Sequence, residues 1–226
     1  MVEALTIARS ELVLGGQKSG KSRRAELLAR DWLAASPTHH AVLIATAQPW
    51  DDEMRQRIAR HQADRAERVP RMNTVEEPLA LAQAIAQHSR ANTLLVVDCL
   101  TLWLTNWLMP ASPHPNPLPK GEGTVCATLV EQAGAGTDCP LSLWERAGVR
   151  APGLAEQTTA LQEAIRSAVG PIVLVSNEIG LGVIPMGVEV RAFVDALGRL
   201  NQEMAQACTR VTLMAAGLPL TLKDAG

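Results

Sequence analysis

The stretch that most constrains this chain is Gly15 to Ser22, which reads Gly-Gly-Gln-Lys-Ser-Gly-Lys-Ser. It fits the phosphate-loop pattern G-x-x-x-x-G-K-[ST], whose glycines let successive backbone N–H groups turn toward phosphate oxygens. An apolar run of strand length, Leu12 to Leu14, precedes it, and apolar residues at helical spacing follow from Ala25 to Trp32. The helix adds its N-terminal partial positive charge to the anion site. The stretch therefore predicts nucleotide binding rather than a plain glycine turn.

Two residues of the loop and one distant carboxylate have the chemistry of a magnesium–nucleotide site. Lys21 is expected to reach the β- and γ-phosphates, and the Ser22 hydroxyl is expected to bind Mg²⁺. The apolar run Thr93 to Val97 ends in Asp98, which suits a Walker-B carboxylate holding the same ion. The alternative for Asp98 is a helix cap for the segment from Cys99 to Met109. The phosphate loop upstream favours the magnesium role.

Apolar runs of strand length alternate with helical patterns along most of the chain, which predicts the fold class. Strands are predicted at 12–14, 41–46, 72–78, 93–98, 171–176, 210–214 and 218–222, and helices at 20–35, 51–65, 79–89, 99–109, 154–169 and 187–207. This order predicts an α/β fold with a single doubly wound, mainly parallel sheet of the P-loop type. Half of the 14 prolines fall between about 110 and 153. We therefore expect one domain over 1–226 with a proline-rich loop insertion at about 110–153.

Composition and charge exclude several other classes of protein. A net charge of −2 gives no electrostatic basis for nucleic acid as the partner. The best membrane-span candidate, Leu94 to Met109, is interrupted by polar residues, and no signal peptide is evident. The four cysteines show neither a C-x-x-C pair nor metal-ligand spacing. We expect reduced thiols and a cytoplasmic protein.

One histidine shares a predicted helix face with apolar residues. Pro49 followed by the acidic residues 51–53 marks the start of this helix. Met54, Ile58, His61 and Arg65 are spaced by four, three and four residues, so they lie on one face. We therefore expect that His61 need not point into bulk water. On this evidence alone, a helix histidine is more typical of a structural or solvated residue than of a catalytic one.

Several short motifs occur in a single order and together resemble a known family. They are Gly15–Arg23, Ala45-Thr46-Ala47, Asp51–Met54, His61, Thr74–Pro78, Asp98–Thr101, Thr105-Asn106 and Ser176–Gly182. This set resembles the bifunctional adenosylcobinamide kinase/adenosylcobinamide-phosphate guanylyltransferase family of cobalamin biosynthesis. The resemblance covers the chain except its first few residues and the 110–153 region. It departs from the family where Lys18 replaces a common arginine and where Arg60 precedes the histidine.

The resemblance implies two reactions and a set of site residues. The first phosphorylates adenosylcobinamide with a nucleoside triphosphate, ATP or GTP. The second transfers GMP from GTP to that phosphate through a guanylylated His61, giving adenosylcobinamide-GDP. The resemblance implies that His61 and Lys21 are catalytic and that Ser22 and Asp98 bind the metal. The nucleotide contacts that it implies are Gly15, Gly16, Gln17, Lys18, Ser19, Gly20, Lys21, Ser22, Ala45, Thr46, Ala47, Gln62, Ala63, Asp64, Arg65, Glu76 and Asp98. It also implies a RecA-like core and a homotrimer.

The sequence is also compatible with other functions, and it does not assign every residue role. One alternative is a different P-loop kinase acting on a small alcohol, with His61 structural. Another is a nucleotide-dependent switch that hydrolyses slowly and transfers nothing. The choice between ATP and GTP in the kinase step is open, as is its general base, for which Glu178 and Asp98 are both candidates. The loop Asn177–Gly182 is a candidate corrinoid contact, because ligand sites in parallel sheets lie beyond the carboxyl ends of the strands.

Overall fold

A computed structural model describes residues 6–49, 51–109 and 153–225. The proline-rich stretch predicted as an insertion, apart from Gly153, lies outside these residues. The strands are β1 Ser10–Gly15, β2 His40–Ala45, β3 Met72–Glu76, β4 Thr93–Asp98, β5 Ile172–Val175, β6 Arg210–Ala215 and β7 Leu218–Asp224. The helices are α1 Lys21–Ala35, α2 Asp52–Arg68, α3 Leu81–His88, α4 Leu100–Leu108, α5 Leu154–Ser167 and α6 Val188–Ala207.

The seven strands form one sheet in the order β3-β2-β4-β5-β1-β6-β7. All neighbouring pairs are parallel except β6 and β7, which are antiparallel. The central strands β1, β4 and β5 are almost completely buried, as continuous apolar runs in a parallel sheet require. The predicted α/β fold with a mainly parallel sheet is confirmed, and β3 is an edge strand as expected.

Helices cover both faces of the sheet. On one face α1 packs Ala25, Leu28 and Leu33 against alternate residues of the strands. On the other face, α3, α4, α5 and α6 bury a larger cluster that includes Trp103 and Leu197. The sheet is therefore doubly wound, and the carboxyl ends of β1, β2, β4 and β5 all emerge at one edge. In the described residues, no helix is long and apolar enough to cross a membrane.

Candidate active site

The phosphate loop lies between β1 and α1, as the motif predicted. β1 ends at Gly15 and α1 begins at Lys21. The backbone has positive φ at Gly15 (150°), Lys18 (56°) and Gly20 (101°), which curls the loop into a concave anion-binding shape. The Lys21 Nζ donates a hydrogen bond of 2.6 Å to the Gly16 carbonyl. The ammonium group is thereby held over the loop that would receive the phosphates.

The hairpin turn between β6 and β7 supports the phosphate loop from the side. Its two central residues, Ala216 and Gly217, have positive φ, as two-residue hairpin turns commonly do. The Gly217 N–H donates to the Ser19 carbonyl at 3.0 Å. A side chain at Gly20 would come within 3.3 Å of the Gly217 Cα. Sequence reasoning missed this support, although Ala-Gly between two short strands is a hairpin signal.

Asp98 ends β4 and is the carboxylate on which the predicted site residues converge. Its backbone pairs with Ala45 of β2 and Val175 of β5. Loss of water around the side chain raises the pKa of the Asp98 carboxyl above its usual range. The neighbours that oppose this rise in pKa by favouring the charged carboxylate are His61, Ser22, Arg65 and Lys21. Residues far apart in sequence therefore meet around one carboxylate.

His61 lies on α2 and is exposed to solvent. Met54 and Ile58 are half-buried and Arg65 is buried, so the predicted common face exists. The expectation that His61 need not point into bulk water is wrong, because its side chain is exposed. Arg65 is the one buried residue of α2, because the helix meets the rest of the fold chiefly near its carboxyl end. His61 is near enough to Asp98 to favour the charged form of the carboxylate, yet it is open to an incoming molecule.

Thr46 holds the backbone beside Asp98. Its hydroxyl donates to the Cys99 carbonyl at 2.7 Å and accepts from the Cys99 N–H at 2.9 Å. Its own N–H donates to the Asp98 carbonyl at 3.2 Å, and its carbonyl accepts from Asn106 at 2.8 Å. The Thr46 side chain is fully buried. Thr46 therefore holds the backbone of the Asp98–Cys99 segment in place. Its half-buried neighbours Ala45 and Ala47 lie at the edge of the sheet where the strands end.

The Cys99 thiol is not a second candidate nucleophile at this edge. Burial, and then the nearby Asp98, raise the pKa of the Cys99 thiol to about 12. The group is therefore a neutral thiol at neutral pH and a poor nucleophile.

A groove of about 400 Å³ runs between α2 and β3. Three of the predicted nucleotide contacts, Gln62, Arg65 and Glu76, line it. The predicted contacts Ala63 and Asp64 do not line this groove, and Asp64 instead lies 3.6 Å from Arg68 in an i, i+4 ion pair. The structure thus divides the predicted segment 62–65 into residues that face the groove and residues that face elsewhere.

A second, larger cavity of about 1,010 Å³ lies on the opposite face of the sheet, between the loop after β5 and α6. Glu178, Ile179, Leu181 and Ile184 of that loop line it, together with Arg191 of α6. We call it the α6 cavity. The candidate contact loop from the sequence therefore borders a large open space that adjoins Leu14, one residue before the phosphate loop.

The family model described as "Cobinamide kinase / cobinamide phosphate guanyltransferase" matches residues 11–222 of this chain. The chain is 42% identical to the bifunctional adenosylcobalamin biosynthesis protein CobP of Pseudomonas aeruginosa, over 94% of this chain and 96% of that protein. It is 30% identical to the bifunctional adenosylcobalamin biosynthesis protein CobU of Escherichia coli, over 94% of this chain and 98% of that protein. The chain belongs to the cobinamide kinase/cobinamide phosphate guanyltransferase family.

Membership confirms the family resemblance and the enzyme class predicted from the sequence. A cobinamide kinase and guanyltransferase uses nucleotide substrates, which is consistent with the phosphate loop and its surroundings. The match also spans nearly the full length of the relatives.

Proposed function

We propose that this chain uses one nucleotide site for two successive reactions, with His61 as the nucleophile of the second. In the first, adenosylcobinamide is phosphorylated by a nucleoside triphosphate. In the second, GMP passes from GTP to His61 and then to adenosylcobinamide phosphate, giving adenosylcobinamide-GDP. The observation that carries this proposal is that the phosphate loop with Lys21 and Asp98 at the end of β4 lie at the same edge of the sheet, with His61 exposed on α2 near Asp98.

The guanylyl transfer divides into two displacements at the α-phosphorus of GTP. An imidazole nitrogen of His61 attacks that phosphorus with its lone pair, and the bond to the pyrophosphate oxygen breaks. The phosphate of adenosylcobinamide phosphate then attacks the same phosphorus, and the labile nitrogen–phosphorus bond breaks. Exposure of His61 supports this sequence, because both the nucleotide and the second acceptor must reach the ring.

The residues present fit a magnesium ion bound mainly by the nucleotide. Mg²⁺ in kinase sites is typically held by one or two protein oxygens together with phosphates and waters. Ser22 and Asp98 supply two such oxygens, and Ser22 favours the charged form of that carboxylate. Within the described ranges, no group of three His, Cys, Asp or Glu residues is placed to hold a metal. When bound, the ion would offset phosphate charge, and Lys21 would do the same from the loop.

Covalent labelling tests the proposed role of His61. GTP labelled at the α-phosphorus is incubated with the protein and Mg²⁺, and we expect acid-labile, alkali-stable label on the wild-type chain. His61→Ala should lose the label and keep phosphorylation of adenosylcobinamide. His40→Ala is the matched control, because His40 is an exposed histidine at the start of β2, the opposite end of the strand from the site. Label that survives His61→Ala contradicts the proposal.

The same experiment separates the two alternative functions. A P-loop kinase with a structural His61 would phosphorylate its alcohol substrate without ever carrying the label. A nucleotide-dependent switch would neither carry the label nor phosphorylate the acceptor. Family membership argues against both alternatives, because the matched family is named for kinase and guanyltransferase activities together.

We further propose that the chain is a homotrimer in the cytoplasm, as the resemblance implied. Exposed apolar side chains support self-association, since monomers rarely expose large contiguous apolar patches. Leu218 and Leu220 of β7 and Met186 of the loop before α6 are such side chains, and none of the three lines the α6 cavity. Light scattering should give a mass three times the 24.2 kDa of one chain. A monomer mass at micromolar concentration would contradict the proposal.

A further inference from the structure

The loop after β5 brings the backbone of a second acidic residue, Glu178, to the phosphate loop. The Ser176 N–H donates to the Val13 carbonyl at 3.0 Å, which extends the pairing of β5 with β1 by one residue. The Glu178 N–H then donates to the Gly15 carbonyl, also at 3.0 Å. The backbone of Glu178 is therefore fixed against the first glycine of the phosphate loop.

Side chains from two helices fix the same segment from the other sides. Asn201 of α6 is only 4% exposed; it accepts from the Ser176 hydroxyl at 2.7 Å and donates to the Asn177 carbonyl at 3.0 Å. The Asn177 N–H donates to the Thr101 hydroxyl of α4 at 2.9 Å. The peptide groups that lead into Glu178 are thus bonded to β1, α4 and α6. Buried, satisfied polar networks of this kind define a single local conformation.

The turn that follows determines the direction of the Glu178 carboxylate. Its Oε1 accepts a hydrogen bond of 2.9 Å from the Gly180 N–H. A Cβ at Gly180 would lie 3.1 Å from that same oxygen, so a side chain there would crowd the carboxylate. The Glu178 side chain is half-buried and lines the α6 cavity. It is therefore both held in place and accessible to a molecule in that cavity.

Asp98 and Glu178 lie toward different faces of the sheet. The groups that surround Asp98 come from α1 and α2: Lys21, Ser22, His61 and Arg65. Glu178 instead faces the space between its own loop and α6. At about 1,010 Å³, the α6 cavity is at the upper end of the roughly 300–1,000 Å³ usual for small-molecule sites. This volume suits a bulky acceptor better than a second nucleotide.

We propose that Glu178 is the general base of the kinase step and that the α6 cavity holds the bulky alcohol acceptor. The acceptor oxygen forms a bond to the γ-phosphorus as the bond from that phosphorus to the β–γ bridging oxygen breaks. The nucleoside diphosphate leaves with the bonding electron pair. The hydroxyl proton passes to a carboxylate oxygen of Glu178 and later to water. This inference rests on the kinase half of the proposed function and does not depend on His61.

The two reactions of one enzyme provide the test. Glu178→Gln keeps the size and the hydrogen-bond acceptor but cannot take the proton, so the kinase kcat should fall about 10²- to 10⁴-fold. Guanylylation by α-labelled GTP, and its transfer to adenosylcobinamide phosphate supplied directly, should stay within about threefold of wild type. Glu189→Gln is the matched control, since Glu189 is an exposed glutamate in the first turn of α6. It should leave both rates unchanged.

Each outcome either supports or overturns the assignment. Loss of the kinase rate with the guanylyl transfer retained supports it. A Glu178→Gln variant with a kinase rate within about threefold of wild type overturns it. Equal loss of both activities also overturns it, because Glu178 would then be structural. A wild-type chain that never forms the covalent label but still phosphorylates the acceptor would refute the His61 proposal and leave the Glu178 assignment standing.

Discussion

The phosphate loop and helix α2 contribute to the same site but are held by the fold to very different extents. The loop is bonded to itself through Lys21 and Gly16 and to the neighbouring hairpin through Ser19 and Gly217. Arg65 is the only buried residue of helix α2. The loop must present many backbone N–H groups at fixed positions, whereas the role proposed for His61 requires that two different phosphates reach its ring in turn. Substitutions should therefore have large effects in the loop and selective effects in α2.

The largest expected effect is that of Gly15→Ala. A Cβ at this position would lie 2.5 Å from the Met214 carbonyl oxygen and 2.6 Å from the Ser19 hydroxyl, on a backbone with φ of 150°. Overpacking and backbone strain together should cost about 3 kcal/mol in the free energy of unfolding. Chemical denaturation measures the loss, and GTP titration should show no saturable binding.

Gly16→Ala is the matched control for that change. No atom lies within 4 Å of a Cβ built at Gly16, and its φ is not in the left-handed region. Its free energy of unfolding should stay within about 0.5 kcal/mol of wild type. Equal destabilisation by the two substitutions would show that the tight packing against Met214 is not what fixes the loop.

An intermediate effect is expected from Arg65→Met in α2. Methionine keeps most of the apolar length of arginine, so the fold should survive, but the charge near Asp98 and in the 400 Å³ groove is lost. Losing one charge-assisted contact of about 1.5–3 kcal/mol should weaken GTP binding about 10- to 100-fold. Arg57→Met, on an exposed position of the same helix, should bind GTP as wild type does. Equal binding by both variants would remove Arg65 from the nucleotide site.

A smaller effect is expected from Thr46→Val, at the junction of the two regions. Valine has nearly the shape of threonine but cannot bond the Cys99 N–H and carbonyl. Leaving these buried groups without their partner should cost about 1–2 kcal/mol in the free energy of unfolding. Thr46→Ser keeps the hydroxyl and serves as the comparison in thermal unfolding. If serine is the more destabilising replacement, packing of the methyl group outweighs the two hydrogen bonds.

Much of the fold could be predicted because its signals are local. The run Leu12 to Leu14, the loop glycines and Lys21 determine a strand, a turn and a helix within a short stretch of chain. Continuous apolar runs identified most of the other strands. The two short strands at the end of the chain were also predicted, but their antiparallel pairing was not. The functional class followed from motifs whose order, rather than any single member, resembles the family.

The residues that sequence reasoning missed act through contacts between distant segments. Asn201 is a polar residue among the buried Leu197, Leu200 and Met204 of α6, and this exception to the apolar stripe was its only signal. The support of Ser19 by Gly217 spans nearly two hundred residues and left no periodic pattern. The exposure of His61 was predicted wrongly, because helical spacing tells which residues share a face but not how much of that face is covered.

The sequence by itself determined that a phosphate-binding loop follows a buried strand, that the sheet is mainly parallel, and which family the chain resembles. These properties depend on steric preferences and spacing within a few residues of each other. The tertiary structure decided which carboxylate faces which side of the loop. Asp98 meets α1 and α2, and Glu178 meets the cavity beside α6. That division depends on the strand order and on the packing of helices on opposite faces, which no local pattern encodes.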